Sequence, residues 1–167
     1  MKTLVPALVL SAALAAGCAS FDGRDLEPGK ARLADVEASM GKPTERVARP
    51  DGGTDLYYSR LPFGRTMYVA SLDRDGVLRS LDQRLTLANI QKIVPDTTTA
   101  KQVRELLGPP FRIERMPRQG YNSWEYPWQI SEDRRILWVN VSDDGIVRQV
   151  IQMHDYETDP PSGPAKD

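Results

Sequence analysis

One cysteine, one histidine and no apolar run of membrane-spanning length are what this chain of 167 residues has least of. The single cysteine, Cys18, excludes a disulfide within the chain. With one histidine, His154, and that one cysteine, a zinc site of the usual ligand set cannot be assembled. A Ser-His-Asp relay needs a placed nucleophile and an orienting acid, and no Gly-x-Ser-x-Gly elbow is present to supply them. His154 falls at the end of the last expected strand and reads as a surface residue. Charge of one sign is also lacking: 22 basic residues stand against 23 acidic ones, for a net charge of −1. No basic block stands out, so nucleic acid is not an expected partner. Asp73-Arg74-Asp75-Gly76 resembles half a calcium loop, but the twelfth position holds Arg84 where a bidentate Glu is required. Gly41-Lys42 lacks the glycine that opens a phosphate loop. The carboxylates are many, yet no pair is placed by the sequence for acid–base work. No catalytic residue, no metal and no cofactor are expected.

What is present begins at the N-terminus. Met-Lys-Thr is followed by an uncharged run from Leu4 to Gly17. Crossing the hydrocarbon core takes about 20 apolar residues, so this run has the length of a signal peptide instead. It ends in Leu14-Ala15-Ala16-Gly17-Cys18, which resembles the lipobox of bacterial lipoproteins. Small residues before a cysteine suit the processing peptidase, whose product carries diacylglycerol on the thiol. Residues 1–17 are therefore expected to be removed and Cys18 to be lipidated. Ordinary secretory cleavage would leave a bare thiol with no use. Ala19 and Ser20 follow the cysteine, and the absence of Asp there favours the outer membrane over the inner. Residues 18–29 are polar, with Gly and Pro, and read as a tether. Residues 157–167 hold Pro160, Pro161, Ser162, Gly163 and Pro164 and read as a disordered tail.

An internal repeat organises the rest. Val36, Gly41 and Pro43 recur as Val103, Gly108 and Pro110. Asp75-Gly76, Arg79 and Gln83 recur as Asp144-Gly145, Arg148 and Gln152. The offsets are 67 and 69, and two extra loop residues reconcile them. Two units follow, 30–85 and 86–156. Each opens with a helix whose apolar residues have helical spacing: Leu33, Val36 and Met40, then Ala100, Val103 and Leu107. Thr97, Thr98 or Thr99 can cap the second. Gly41 and Gly108 stop the helices, and a proline two places on prevents resumption. Strands are expected at 45–48, 55–60, 66–73 and 77–84, and again at 111–116, 123–129, 136–142 and 146–153. Asp75-Gly76 and Asp144-Gly145 supply hairpin turns. Residues 85–94, with Leu87, Ile90 and Ile93, should form a further helix that the first unit lacks. The expected class is α+β: two tandem repeats, each of one or two short helices followed by a three- to four-stranded antiparallel sheet.

Alternation then identifies candidate surfaces. Trp124, Tyr126 and Trp128 share one face of a strand, either as core or as a surface for a partner. In the next strand Ile136 and Trp138 oppose Leu137, Val139 and Val141. The first unit repeats this with Met67 and Val69 opposing Tyr68, Ala70 and Leu72. An antiparallel sheet commonly leaves one face polar. Two apolar faces imply burial between the units or a docking surface. Tyr57 and Tyr58, with Arg60 and Phe63 nearby, extend the candidate surface. The partner-binding candidates are thus Tyr57, Tyr58, Met67, Val69, Trp124, Tyr126, Trp128, Ile136 and Trp138.

The order helix, Leu107-Gly108-Pro109-Pro110, antiparallel meander, Asp144-Gly145-Ile146-Val147 resembles the SmpA/OmlA (BamE-like) family. Asn89 to Thr99 and Val103 belong to the same match. The first unit matches through Gly29, Val36, Gly41 and Pro43. Where the family has Gly-Met-Thr before its second helix, this chain has Asp96-Thr97-Thr98. The resemblance implies a small lipoprotein on the periplasmic face of the outer membrane. It would bind another envelope protein, with the β-barrel assembly machine as one setting, in outer-membrane protein assembly or envelope integrity. Tandem copies of the unit are also similar to the β-lactamase inhibitor protein, which implies an alternative: an inhibitor of an exported hydrolase. A shared fold leaves function to be argued from a site.

Overall fold

The structure, a computed structural model, describes residues 23–156. The expected signal peptide, Cys18 and the tail expected over 157–167 lie outside the described residues. Along the chain come α1 (Leu33–Met40), β1 (Glu45–Ala48), β2 (Thr54–Ser59), β3 (Met67–Leu72) and β4 (Leu78–Gln83). Then follow α2 (Leu87–Ile90), α3 (Ala100–Leu107), β5 (Arg112–Met116), β6 (Tyr121–Ile130), β7 (Asp133–Ser142) and β8 (Val147–His154). The strands form two four-stranded antiparallel meanders, β1-β2-β3-β4 and β5-β6-β7-β8. The class is α+β and strand-rich.

Local chemistry sets the helix ends. At α3 the Gln102 amide donates to Thr99 Oγ1 at 3.2 Å, and the Thr99 amide donates back to Gln102 Oε1 at 2.8 Å. That reciprocal pair satisfies two of the donors a helix start leaves open. At α1 the Arg32 amide donates to Asp35 Oδ2 at 2.8 Å. Both helices end on a glycine with positive φ and extended ψ, Gly41 at 82°, −163° and Gly108 at 84°, −172°.

The two halves share geometry as well as order. A single bridge joins Arg32 to Val77 before α1, and another joins Thr99 to Ile146 before α3. The Leu33 amide donates to Gly76 O and the Ala100 amide to Gly145 O. The pairing of β3 with β4 slips at Ser71/Leu72, and that of β7 with β8 slips at Asn140/Val141. Three residues before each entry bridge, Gly29 takes φ 83° and Asp96 takes φ 59°.

The helix expected over 85–94 is shorter, at Leu87–Ile90. The Val94 amide donates to Thr98 Oγ1 at 2.8 Å, and the Thr98 amide donates to Val94 O. Val94 is thus held in the turn that leads to α3, and Pro95 disfavours a helical residue before it. The β6–β7 hairpin is longer than the alternation indicated, closing through a left-handed Ser131 at φ 50°.

Two cores result. On one face of the first sheet, Val36 and Met40 of α1 meet Leu56, Tyr58, Ala70, Leu72 and Leu78. The second core takes Tyr57, Met67 and Val69 from the other face of that sheet. It adds Leu85, Ile90 and Ile93 from the connection, Val103 and Leu107 from α3, and the inner face of the second sheet. The layers run α1, first sheet, α2 and α3, second sheet. The first sheet is therefore covered on both faces.

Candidate docking face

Seven of the nine candidate residues are core. Tyr57, Tyr58, Met67, Val69, Trp124, Tyr126 and Trp128 are each at most 8% exposed. This corrects their reading as a partner surface. Alternation shows that residues share a face but not what covers it. Tyr58 lies under α1, and the other six lie in the core between the sheets. The Tyr126 hydroxyl donates to Gly108 O at 3.1 Å, tying β6 to the end of α3. Burial pushes the Tyr126 hydroxyl well above its ordinary range and that of Tyr58 up to about 12. The Tyr58 hydroxyl has no hydrogen-bond partner among the described residues.

Ile136 and Trp138 remain. Directly paired residues in a sheet share a face, so the registers define two rows on the outer side of the second sheet. One runs Arg112, Glu125, Trp138, Ile151 and the other Pro127, Ile136, Met153. Trp138, Ile136 and Ile151 are half-buried, and Met153 is 52% exposed. The counterpart row on the first sheet is Glu45, Tyr57, Val69, Asp82. Tyr57 and Val69 of that row lie beneath α2 and α3. Glu45 receives Arg104 of α3 at 2.8 Å on each carboxylate oxygen. The apolar outer face of the second sheet has no such helix above it among the described residues.

Glu125 carries charge into this face at only 6% exposure. Arg112 holds it, with Nε and Nη2 at 2.8 and 2.7 Å from Oε2. A buried carboxylate needs such a partner. Beside the pair is a recess of about 190 Å³, lined by Pro62, Phe63, Phe111, Pro127 and Ile136 together with charged groups. Phe63 is 90% exposed and Phe111 is 43% exposed. The loop that presents Phe63 is fixed by Arg65. Its guanidinium donates to Arg135 O at 3.0 Å and Trp128 O at 3.3 Å and pairs with Asp155, both side chains being almost fully buried. Sequence reasoning missed Arg65, Arg112 and Glu125. Arg65 and Asp155 stand 90 residues apart with no motif around either.

Around His154 the geometry is a partly exposed contact with a carboxylate. Its Nδ1 lies 2.9 Å from Asp133 Oδ1, and its ring is tilted against Tyr156 at 4.6 Å. Arg135 first, and His154 after it, hold the Asp133 carboxyl below its usual range. No group of three or more metal-ligating side chains occurs among the described residues, and no helix there is long and apolar enough to cross a membrane.

No family model and no curated protein matches the chain. Among solved structures it is similar to a DUF4309 family protein, YjgB, from Bacillus subtilis. The identity is 19% and the TM-score 0.33, over 79% of this chain and 84% of that one. At that score the likeness carries no weight for fold or function.

Proposed function

We propose that this chain is a lipid-anchored docking protein of the bacterial envelope. Cys18 holds it at the periplasmic face of the outer membrane, and the outer face of the second sheet binds another envelope protein. The setting is outer-membrane protein assembly or envelope integrity, with the β-barrel assembly machine as one case. The body is read as two tandem BamE-like units, a reading supported by the paired entry bridges and matching register slips described above. The observation that carries the docking role is the contrast between equivalent faces. Tyr57, Met67 and Val69 lie under helices, whereas Ile136, Trp138, Ile151 and Met153 form a partly exposed apolar patch with no helix over it among the described residues; the loop carrying Phe63 borders it beside the buried Pro127. Apolar patches rimmed by charge mark interaction sites, and Trp and Arg are the residues that dominate binding energy.

Pull-down from crosslinked envelopes tests this with a Trp138→Glu variant. Trp138 is half-exposed, so the variant should fold and stay with the membrane. It should lose the proteins that the unaltered chain recovers. Equal recovery by both would remove the outer face from the account. Cys18→Ser should release the chain from the membrane fraction, and unchanged fractionation would remove the anchor.

A further inference from the structure

The occupant of this face can be read from what covers its counterpart. Two residues one turn apart bring α3 onto the first sheet. Arg104 meets Glu45, and Gly108 lies so close that a Cβ there would stand 2.7 Å from Met67 Cγ and 3.3 Å from Tyr57 Cδ1. At the 67-residue offset, the counterparts of Arg104 and Gly108 are Glu37 on α1 and Gly41 just past its end. The counterparts of Glu45, Tyr57 and Met67, taken through the strand registers, are Arg112, Glu125 and Ile136. The charges are exchanged on both sides at once.

We propose that the outer face of the second sheet receives α1 from a second copy of this chain. The helix lies across β5–β8 as α3 lies across β1–β4, and Glu37 of one copy meets Arg112 of the other. The proposal rests on the docking reading above and names the partner. Three observations carry it. Glu37 is paired with Arg46, and Arg112 with Glu125. The contact therefore builds an alternating row of two acids and two bases and buries no uncompensated charge. Gly41 has nothing within 4 Å of its Cβ position, which leaves it the freedom of approach that Gly108 uses against Met67 and Tyr57. The volumes also correspond. On the first sheet a small Val69 shares its core with Leu85, Ile90 and Ile93 of the connection. On the second sheet the same position holds Trp138, and the described residues before α1 contain no helix like α2. The larger side chain fills the space that the missing helix would have occupied. Such a contact joins two different surfaces, so each copy keeps one end free and association is open-ended.

Sedimentation velocity on the full chain carrying Cys18→Ser, from micromolar to millimolar, should show mass rising with concentration past the dimer. Arg112→Glu alone and Glu37→Arg alone should each lower the association constant about tenfold or more, because like charges then face each other. Mixing the two variants in equal amounts should restore association, since the introduced arginine of one faces the introduced glutamate of the other. Recovery on mixing also shows that both variants are folded. A chain that stays monomeric throughout, single variants that associate like the parent, or a mixture that fails to recover would each overturn the proposal. If the chain is monomeric and Trp138→Glu still loses an envelope partner in the pull-down, the second copy is ruled out and the docking face stands.

Discussion

Tyr58 sits under α1 with its ring buried and its hydroxyl unpartnered. A buried hydroxyl without a partner loses its hydration and gains nothing in return. Tyr58→Phe is therefore expected to leave stability unchanged or raise it by up to about 1 kcal/mol, measured by urea denaturation. The same burial raises the hydroxyl's folded-state pKa to about 12 from an ordinary value of 10. A raised pKa contributes stability below pH 10, and that contribution is lost as pH climbs from 10 to 12. Alkaline unfolding of Tyr58→Phe should accordingly begin at a higher pH than in the parent. Carboxyls such as Asp133, held low by Arg135 and His154, act in the opposite direction. Their contribution is present above the ordinary carboxylate pKa and fades as acid protonates them. Arg65 is the other residue on which much rests. Removing one member of a buried pair strands the other, so Arg65→Met should cost about 3–5 kcal/mol. Adding Asp155→Leu to that variant should restore part of the loss.

At the scale of elements, the two helix stops make a matched comparison. Gly41 and Gly108 share a conformation of positive φ and extended ψ, but only Gly108 lies against another element. Gly41→Ala should cost about 1–3 kcal/mol, because φ 82° with ψ −163° is a backbone region essentially open to glycine alone. Gly108→Ala should cost more, because the added methyl meets Met67. Thermal melts of the two variants give the difference, and equal losses would contradict the packing of α3 on the first sheet. These elements were legible for concrete reasons. Gly41 and Gly108 end their helices, Asp75-Gly76 and Asp144-Gly145 turn their hairpins, and the Thr99 cap opens α3. The extent of α2 was not legible, because the bond from Val94 to Thr98 that ends it forms four residues on, in a turn without apolar periodicity. Nor did alternation separate the covered strands from the open one. β3 and β7 carry the same two-faced apolar pattern. Helices α2 and α3 follow the first sheet in the chain and cover Met67 and Val69, whereas after β7 the described chain adds only β8 and a short end.

The whole molecule is asymmetric. Four layers cover both sides of one sheet and one side of the other, and the uncovered side carries Trp138 where its covered counterpart carries Val69. The Arg65–Asp155 pair fastens the loop after β2 to the far end of the second sheet, so the halves should unfold together. A single transition is expected in both near- and far-ultraviolet circular dichroism. The most direct measurement is photo-crosslinking in intact cells, with a photoreactive residue placed at position 138 and, in a separate strain, at position 69. Crosslinks to a protein, another copy included, are expected from position 138 and none from position 69. If position 138 reached only lipid or solvent while the chain was folded and exported, the claim that this face docks a protein would be contradicted.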